Sequence, residues 1–400
     1  MCCSGWRQIV LRIHLGEGGF DMKIVYIGSS TIPSRTANSI HVMKMCQAFA
    51  QNGHEVILIV PDNRANCEPD VEDVFDFYGV ERCFEIVYLP LPPVKGRGLI
   101  YGFQAAKKTG KLQPDIVYGR NLPGCFFASL LKLPVIFESH APIEGFVYGN
   151  IFNKLIQKPE LRKLVVITHA LKDHYSNRYP FISDKIIVAP DGADPVPADA
   201  IPAVLPNKGK KLQIGYVGHL YSGRGIDIIH QLAERCPWAD FHIVGGTDKD
   251  INTYRKSTTP LANLYLHGFK PHTEAERYRI GCDVLIAPYQ NKVSVGVSVY
   301  TTERWMSPLK IFEYMAAGKA IICSDIPVLR EILEDGRNAL LCDPEDIESW
   351  ERALLILSKE KDYRIWLGET ARSELLSTYS WSSRASKLIE IGLEKPEHRQ

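Results

Sequence analysis

Leu212-Gln213-Ile214-Gly215-Tyr216-Val217, continuing into Gly218-His219-Leu220-Tyr221-Ser222-Gly223-Arg224-Gly225, reads as a short apolar strand that empties into a glycine-bearing turn. A segment of helical periodicity follows directly. Working outward, the same order of apolar run, Gly, Ser or Asn turn and helix recurs along the chain from Met22. Strand and helix alternating in this way imply parallel sheets covered by helices on both faces. In the first half the predicted strands are Lys23 to Ile27, Glu55 to Val60, Glu85 to Leu89, Ile116 to Tyr118, Val135 to Phe137, Leu164 to Ile167 and Ile186 to Ala189. In the second half they are Leu212 to Val217, Phe241 to Val244, Leu264 to Leu266, Val284 to Ala287, Ala320 to Cys323 and Leu340 to Leu341.

The expected architecture is therefore α/β, with two Rossmann-like, doubly wound parallel-sheet domains. Their sheets would present their carboxyl ends to a shared cleft, the end at which such folds bind ligands. Residues 1–21 read as a tail, and 22–194 as the first domain. Pro195, Pro197, Pro202 and Pro206 stiffen a linker over 195–210. Residues 211–375 form the second domain, and 376–400 a helix returning toward the first. A chain of 400 residues, 45% hydrophobic and 23% charged, can bury two cores of this size.

Composition also excludes some functions. With 47 Lys and Arg against 46 Asp and Glu, no polyanion is favoured overall, so nucleic-acid binding is not indicated and any anion site is local. The ten cysteines form no C-x-x-C pair, which suits free thiols in a reducing cytoplasm rather than a disulfide frame or a zinc site. No apolar run reaches the roughly 18 residues that a membrane-spanning helix needs.

The most informative segment is Ser307-Pro308-Leu309-Lys310-Ile311-Phe312-Glu313-Tyr314-Met315-Ala316-Ala317-Gly318. Ser307 is suited to N-cap a helix, Pro308 to its first position and Gly318 to close it in a left-handed conformation. Lys310 then sits in the first turn, where the helix dipole disfavours a cation by about 0.3–1 kcal/mol. A diphosphate held by that turn would reverse the sign. Glu313 lies three residues on, along the same face, where its carboxylate can accept from two vicinal ribose hydroxyls. A surface helix carrying a chance Lys and Glu is the plain alternative. In the Gly218 to Gly225 loop, Arg224 offers a planar fork for phosphate oxygens. Gly28-Ser29-Ser30 follows the first strand in the same manner, with Asn38 placed to cap a helix from Ser39 to about Asn52.

Together these segments resemble the retaining glycosyltransferases of family 4, which have the GT-B fold, and the resemblance runs from Met22 to about Leu393. It is carried by Ser307 to Asp325, Gly218 to Asp227, Asp191-Gly192-Ala193-Asp194, Gly268-Phe269, Asp283 to Tyr289 and Trp381. The resemblance implies that Arg224 and Lys310 bind the donor diphosphate, with Gly28, Ser29, Gly218, His219, Ser307 and Leu309 around the donor. It places Glu313 at the ribose, Gly245, Gly246 and Phe269 at the base, and His140 of Glu138-Ser139-His140 against the transferred sugar. His140, Arg224 and Lys310 are the expected catalytic groups. The family often has a second Glu eight positions before Glu313; Trp305 stands there, and Glu303 is out of register. His219 stands where an Arg is common.

The resemblance implies transfer from a UDP-, GDP- or ADP-sugar to a glycan, lipid-linked or small-molecule hydroxyl. Fixed cations would stabilise the leaving diphosphate, so neither metal nor other cofactor is expected. Asn38, His41 and Arg120 are the acceptor-side candidates. The basic stretch from Leu91 to Cys125, with Lys95, Arg97, Lys107, Lys108 and Lys111 among Leu99, Ile100, Tyr101 and Phe103, is either a solvated loop or a contact with lipid-linked diphosphate or the inner face of a membrane. The competing readings are a nucleotide-sugar epimerase of the same fold and a non-catalytic partner subunit.

Overall fold

The computed structural model describes residues 21–290 and 304–393, and within them the chain forms two compact units. The first runs to Pro190 and is completed by residues from Trp381 onward; the second is the uninterrupted stretch Asp191–Ser380.

The strands of the first unit are β1 (Lys23–Ile27), β2 (Glu55–Asp62), β3 (Glu85–Pro90), β4 (Ile116–Gly119), β5 (Val135–Ser139), β6 (Leu161–Val166) and β7 (Ile186–Val188). They form one parallel sheet in the order β3-β2-β1-β4-β5-β6-β7. Its helices are α1 (Ala37–Gln51), α2 (Val74–Tyr78), α3 (Arg97–Leu112), α4 (Leu122–Leu130), α5 (Phe146–Leu155) and α6 (His169–Arg178). The order reverses between β1 and β4, the kind of switch point beside which doubly wound sheets bind ligands.

The second unit is built from β8 (Leu212–Val217), β9 (Ala239–Val244), β10 (Leu264–Gly268), β11 (Val284–Ala287), β12 (Ala320–Ser324) and β13 (Leu340–Cys342). These are parallel in the order β10-β9-β8-β11-β12-β13. Its helices are α7 (Ile226–Arg235), α8 (Asp248–Ser257), α9 (His272–Gly281), α10 (Leu309–Ala316), α11 (Ile347–Lys359) and α12 (Lys361–Glu374). Strand alternation divides its core into two layers. Leu285, Ala287, Ile321 and Cys323 pack with Phe312 and Met315 on one face, while Val284, Ile286 and Ile322 pack with Leu232, Trp350 and Leu354 on the other. Both faces are buried, which is why these strands read as continuous apolar runs.

Two predicted boundaries move. The proline-bearing stretch 195–210 is packed onto the second unit rather than free: Ala203 N–H donates to the Arg277 carbonyl at 2.8 Å, Lys208 Nζ to Gly281 at 2.6 Å and Asn207 Nδ2 to Asp240 at 2.9 Å. The final helix, α13 (Trp381–Leu393), begins at Trp381, because residues 375–379 still extend α12 as a π-helical turn. α13 packs on α1, where Asn52 Nδ2 reaches the Ser382 carbonyl at 3.0 Å and Ser386 Oγ at 2.9 Å.

Candidate active site

In the second unit the loops leaving β8, β9 and β10 lie backbone against backbone, and glycine permits it. Gly245 takes φ +127, and a Cβ there would stand 2.0 Å from the Gly218 carbonyl oxygen. Gly225, at φ +76, would place one 1.8 Å from the Pro288 oxygen, so the turn after β8 crosses the segment after β11 in contact. Gly218 lies directly over Lys310, whose Cε would be 2.7 Å from its added Cβ. Gly246 closes against Leu220 in the same way. His219 stacks on Tyr221, ring centroids 4.7 Å apart, and Phe269 is exposed at the end of β10.

α10 starts one residue later than its sequence suggests. Pro308 is the N-cap, with no side chain capping the turn, while the Ser307 hydroxyl instead accepts from the Asp191 N–H at 2.8 Å. That corrects Ser307 as the cap: its oxygen is already committed to a neighbouring backbone amide. Gly318 does take the left-handed conformation after α10, at φ +63. Lys310 is therefore the second residue of an uncapped helix. Its Nζ is buried 3.8 Å from the Tyr216 ring centroid and 5.1 Å from that of Tyr289, with no hydrogen-bond acceptor among the described residues. Burial pushes its ammonium well below the usual lysine range, and the charge of Arg224 pushes the same way. The Arg224 guanidinium stands 5.3 Å from the Tyr289 centroid, its Nε likewise without a partner. Two cations that repel each other, enclosed by aromatic faces, form a site that an anion would complete.

Glu313 faces the same end of the unit, but its carboxylate is engaged. Oε2 accepts from Arg279 Nη1 at 3.1 Å and Oε1 lies 3.6 Å from His272 Nδ1, both from α9. Trp305, eight positions before Glu313, packs beneath Arg304 at 5.3 Å, and Glu303 lies outside the described residues. An Asp-x-Asp triplet does occur in the chain, Asp248-Lys249-Asp250, but it begins α8. Asp250 Oδ2 accepts from the Thr247 amide and hydroxyl, both at 2.8 Å, in a capping box.

In the first unit, the Gly28 carbonyl accepts from the buried Tyr101 hydroxyl at 2.7 Å, and Ser29 Oγ from Asn121 Nδ2 at 2.9 Å. Asn38 is not the cap of α1. Thr36 is, accepting from the Ser39 amide, and Asn38 lies inside the first turn with Oδ1 buried and unpartnered among the described residues. Arg120, directly after β4, has Nη1 in the same condition. Asn38, in the first turn of α1, and Arg120, directly after β4, thus keep unspent hydrogen-bonding capacity.

His140, just past β5, is tied to a partner that sequence reasoning passed over. Its Nε2 lies 2.5 Å from Oε1 of Glu138, a fully buried carboxylate that also meets His41 Nε2 at 3.0 Å and Arg384 Nη2 at 2.9 Å. The Tyr118 hydroxyl donates to Oε2. Burial alone would raise the Glu138 carboxyl, but Arg384, with His41 and His140, holds it well below the usual range. His41, Glu138 and His140 offer donor types that metals accept. The Arg384 guanidinium pairs with that carboxylate at ion-pair distance. Glu138 and His140, two apart at a strand end, share a face, and that spacing was a legible signal. Arg384, 246 positions from Glu138, was not.

Two doubly wound parallel-sheet units, one with a buried lysine and a half-buried arginine under a helix N-terminus at its switch point, define a protein of the GT-B glycosyltransferase class. Family models agree: the one described as Glycosyltransferase Family 4 matches residues 39–196, and the one described as Glycosyl transferases group 1 matches residues 198–374. The chain belongs to glycosyltransferase family 4. It is 28% identical over 164 residues to a phosphatidyl-myo-inositol mannosyltransferase of Mycolicibacterium smegmatis, a match covering 40% of this chain and 38% of that protein's length. Among solved structures, Anabaena HepE in complex with UDP superposes with TM-score 0.68 at 12% identity, over 92% of this chain and 99% of that one. Sucrose-phosphate synthase from Thermosynechococcus elongatus gives TM-score 0.67 at 15% identity, over 92% and 98%.

Proposed function

We propose that the chain is a retaining glycosyltransferase that moves a sugar from a nucleotide-sugar to a hydroxyl acceptor without a metal. One observation carries the reading: Lys310 Nζ is buried and unpartnered beside Arg224, under an uncapped helix start. As the glycosidic bond stretches, negative charge grows on the leaving diphosphate, and these fixed cations meet it without reorganising. Glu313 binds the ribose, the Gly245–Gly246 turn and the Phe269 region the base, and His140 the transferred sugar. UDP is the first donor nucleotide to try, since HepE, which shares the fold, was solved with UDP-glucose. Thermal-shift measurements against UDP, GDP and ADP and their sugars read the donor, because a ligand of the native state raises its stability. Product anomers read by NMR test retention, and activity that survives EDTA tests metal independence. Failure of every nucleotide to stabilise the protein would remove the reading; an epimerised sugar with no transferred product would replace it with an epimerase.

The acceptor is read as lipid-linked or glycan, with the protein at the cytoplasmic face of a membrane. Support comes from α3 and α4, where Phe103, Phe127, Leu130 and Leu131 line a groove of about 670 Å³ edged by Lys107 and Lys111. Phe103 is 56% and Leu131 51% exposed, and no acidic residue occurs from Leu91 to Lys111. Among the described residues no helix is long and apolar enough to cross a membrane, so contact would be peripheral. Vesicles containing anionic lipid should retain the protein at low salt and release Phe103→Asp; equal behaviour of the two proteins removes the membrane part.

A further inference from the structure

We infer that Glu138 is a positioning residue for His140: its carboxylate holds the imidazole proton on Nε2 and makes Nδ1 the ring's acceptor, and Arg384 on α13 anchors that carboxylate. This rests on the reading of His140 as the group facing the transferred sugar.

A carboxylate only accepts hydrogen bonds, so a ring nitrogen 2.5 Å from it must be the protonated one. In a neutral imidazole the other nitrogen is then an acceptor, able to take a hydrogen bond from a sugar hydroxyl. The opposite tautomer would present an N–H where that hydroxyl's proton points. Glu138 and Arg384 are both buried and form an ion pair at 2.9 Å. Arg384 is itself fixed on three sides within the unit. Nε donates to the Pro190 carbonyl at 2.8 Å, Nη2 to that of Ala189 at 3.1 Å, and Nη1 meets Met45 Sδ at 3.1 Å. The ring is held as well, edge-on to His41 at 4.9 Å, with His41 edge-on to Trp381 at 5.2 Å. α13, remote in sequence, thereby helps set which nitrogen of a β5 histidine is basic.

Histidine-labelled, full-length protein read by long-range 1H–15N NMR at neutral pH shows the tautomer directly. The wild type should give His140 protonated on Nε2. Glu138→Leu leaves Nε2 without its acceptor, so His140 should lose the fixed tautomer and populate the Nδ1–H form. In that variant kcat should fall by on the order of tenfold or more, with affinity for free nucleotide unchanged. Arg384→Lys, which keeps the charge but not the fork, should loosen the same ring and populate both tautomers. A wild-type His140 protonated on Nδ1 overturns the inference, and this holds even if Glu138→Leu fails to fold. A folded Glu138→Leu with the wild-type tautomer alone overturns it too. If instead His140→Ala is fully active while the tautomers behave as stated, the sugar assignment fails and the positioning geometry survives.

Discussion

Lys310 carries an ammonium into an aromatic enclosure that offers it no acceptor, and two substitutions separate what that costs from what it does. Lys310→Met, which keeps the stem and removes the amine, should stabilise the ligand-free protein by about 1 kcal/mol, as relief of strain at a functional site commonly does. The same variant should lose most of its stabilisation by nucleoside diphosphate; a lower denaturant midpoint without ligand would contradict this. Lys310→Ala, Glu313→Ala and His140→Ala should then differ in kind. The first removes charge stabilisation that grows in the transition state and should lower kcat by on the order of 10² or more. Glu313→Ala should raise KM for the donor and Ki for free nucleotide equally, since ribose hydroxyls change little during the reaction. His140→Ala should leave nucleotide binding intact and cripple turnover. Purely structural roles predict something else for all three, namely lower melting temperatures and near-normal kinetics in the folded fraction.

Residue types at this scale were largely legible in the sequence, and their partners were not. Lys310 in a first turn is a local irregularity that a one-dimensional reading can detect. That Tyr216 and Tyr289 enclose it, or that Arg279 pairs with Glu313, depends on tertiary contacts between distant strands and helices.

At the scale of elements, β8, β9 and β10 carry a buried polar relay. The Gln213 amide donates to the Lys211 carbonyl at 3.0 Å, so its oxygen is free to accept from His242 Nε2 at 2.8 Å. His242 Nδ1 must then accept from His267 Nε2 at 3.0 Å. Both rings are neutral; burial, and then the neighbouring His267, push the His242 imidazole down to about 4. In the unfolded chain the same ring takes a proton near pH 6.5, whereas in the folded chain it does not. Stability is therefore intact above about pH 6.5, falls as the pH is lowered toward 4, and loses nothing further from this group below that, in total about 3 kcal/mol. Denaturant midpoints measured across that window should fall for the wild type and flatten for His242→Gln. Parallel slopes for the two proteins would assign the loss to other groups. The strands bearing this relay follow from apolar runs, but helix starts depended on which side chain reached which amide. Thr36 rather than Asn38 caps α1, and Ser307 is taken by Asp191. Competition among adjacent polar residues for one N–H is settled by backbone direction, which spacing does not encode.

For the whole molecule, the division of the chain matters most. The second unit is one uninterrupted stretch, while the first is left at Pro190 and completed at Trp381. A fragment of residues 191–380 should fold cooperatively and be stabilised by the same nucleotide as the full chain. Residues 22–190 alone should not fold, because without α13 the Glu138 carboxylate is buried with no guanidinium, a loss of about 3–5 kcal/mol. Circular dichroism and urea titration of the two fragments check this; a stable 22–190 fragment would refute the role given to α13. The alternation of strands and helices made two sheets legible from the sequence. The point of division was not, because the proline-rich stretch that reads as a spacer is hydrogen-bonded to Arg277, Gly281 and Asp240.

The late return of α13 also bears on synthesis. On the ribosome, β1 to β7 emerge with an incomplete core, and the whole of the second unit must be translated before Arg384 leaves the exit tunnel. The second unit can thus fold while the first waits, reversing the usual order in which amino-terminal domains mature first. A premature stop shortly before Trp381 would release a polypeptide able to bind nucleotide yet unable to finish its first sheet unit, and such a product would be recognised by chaperones and proteases rather than accumulate as an inert binder.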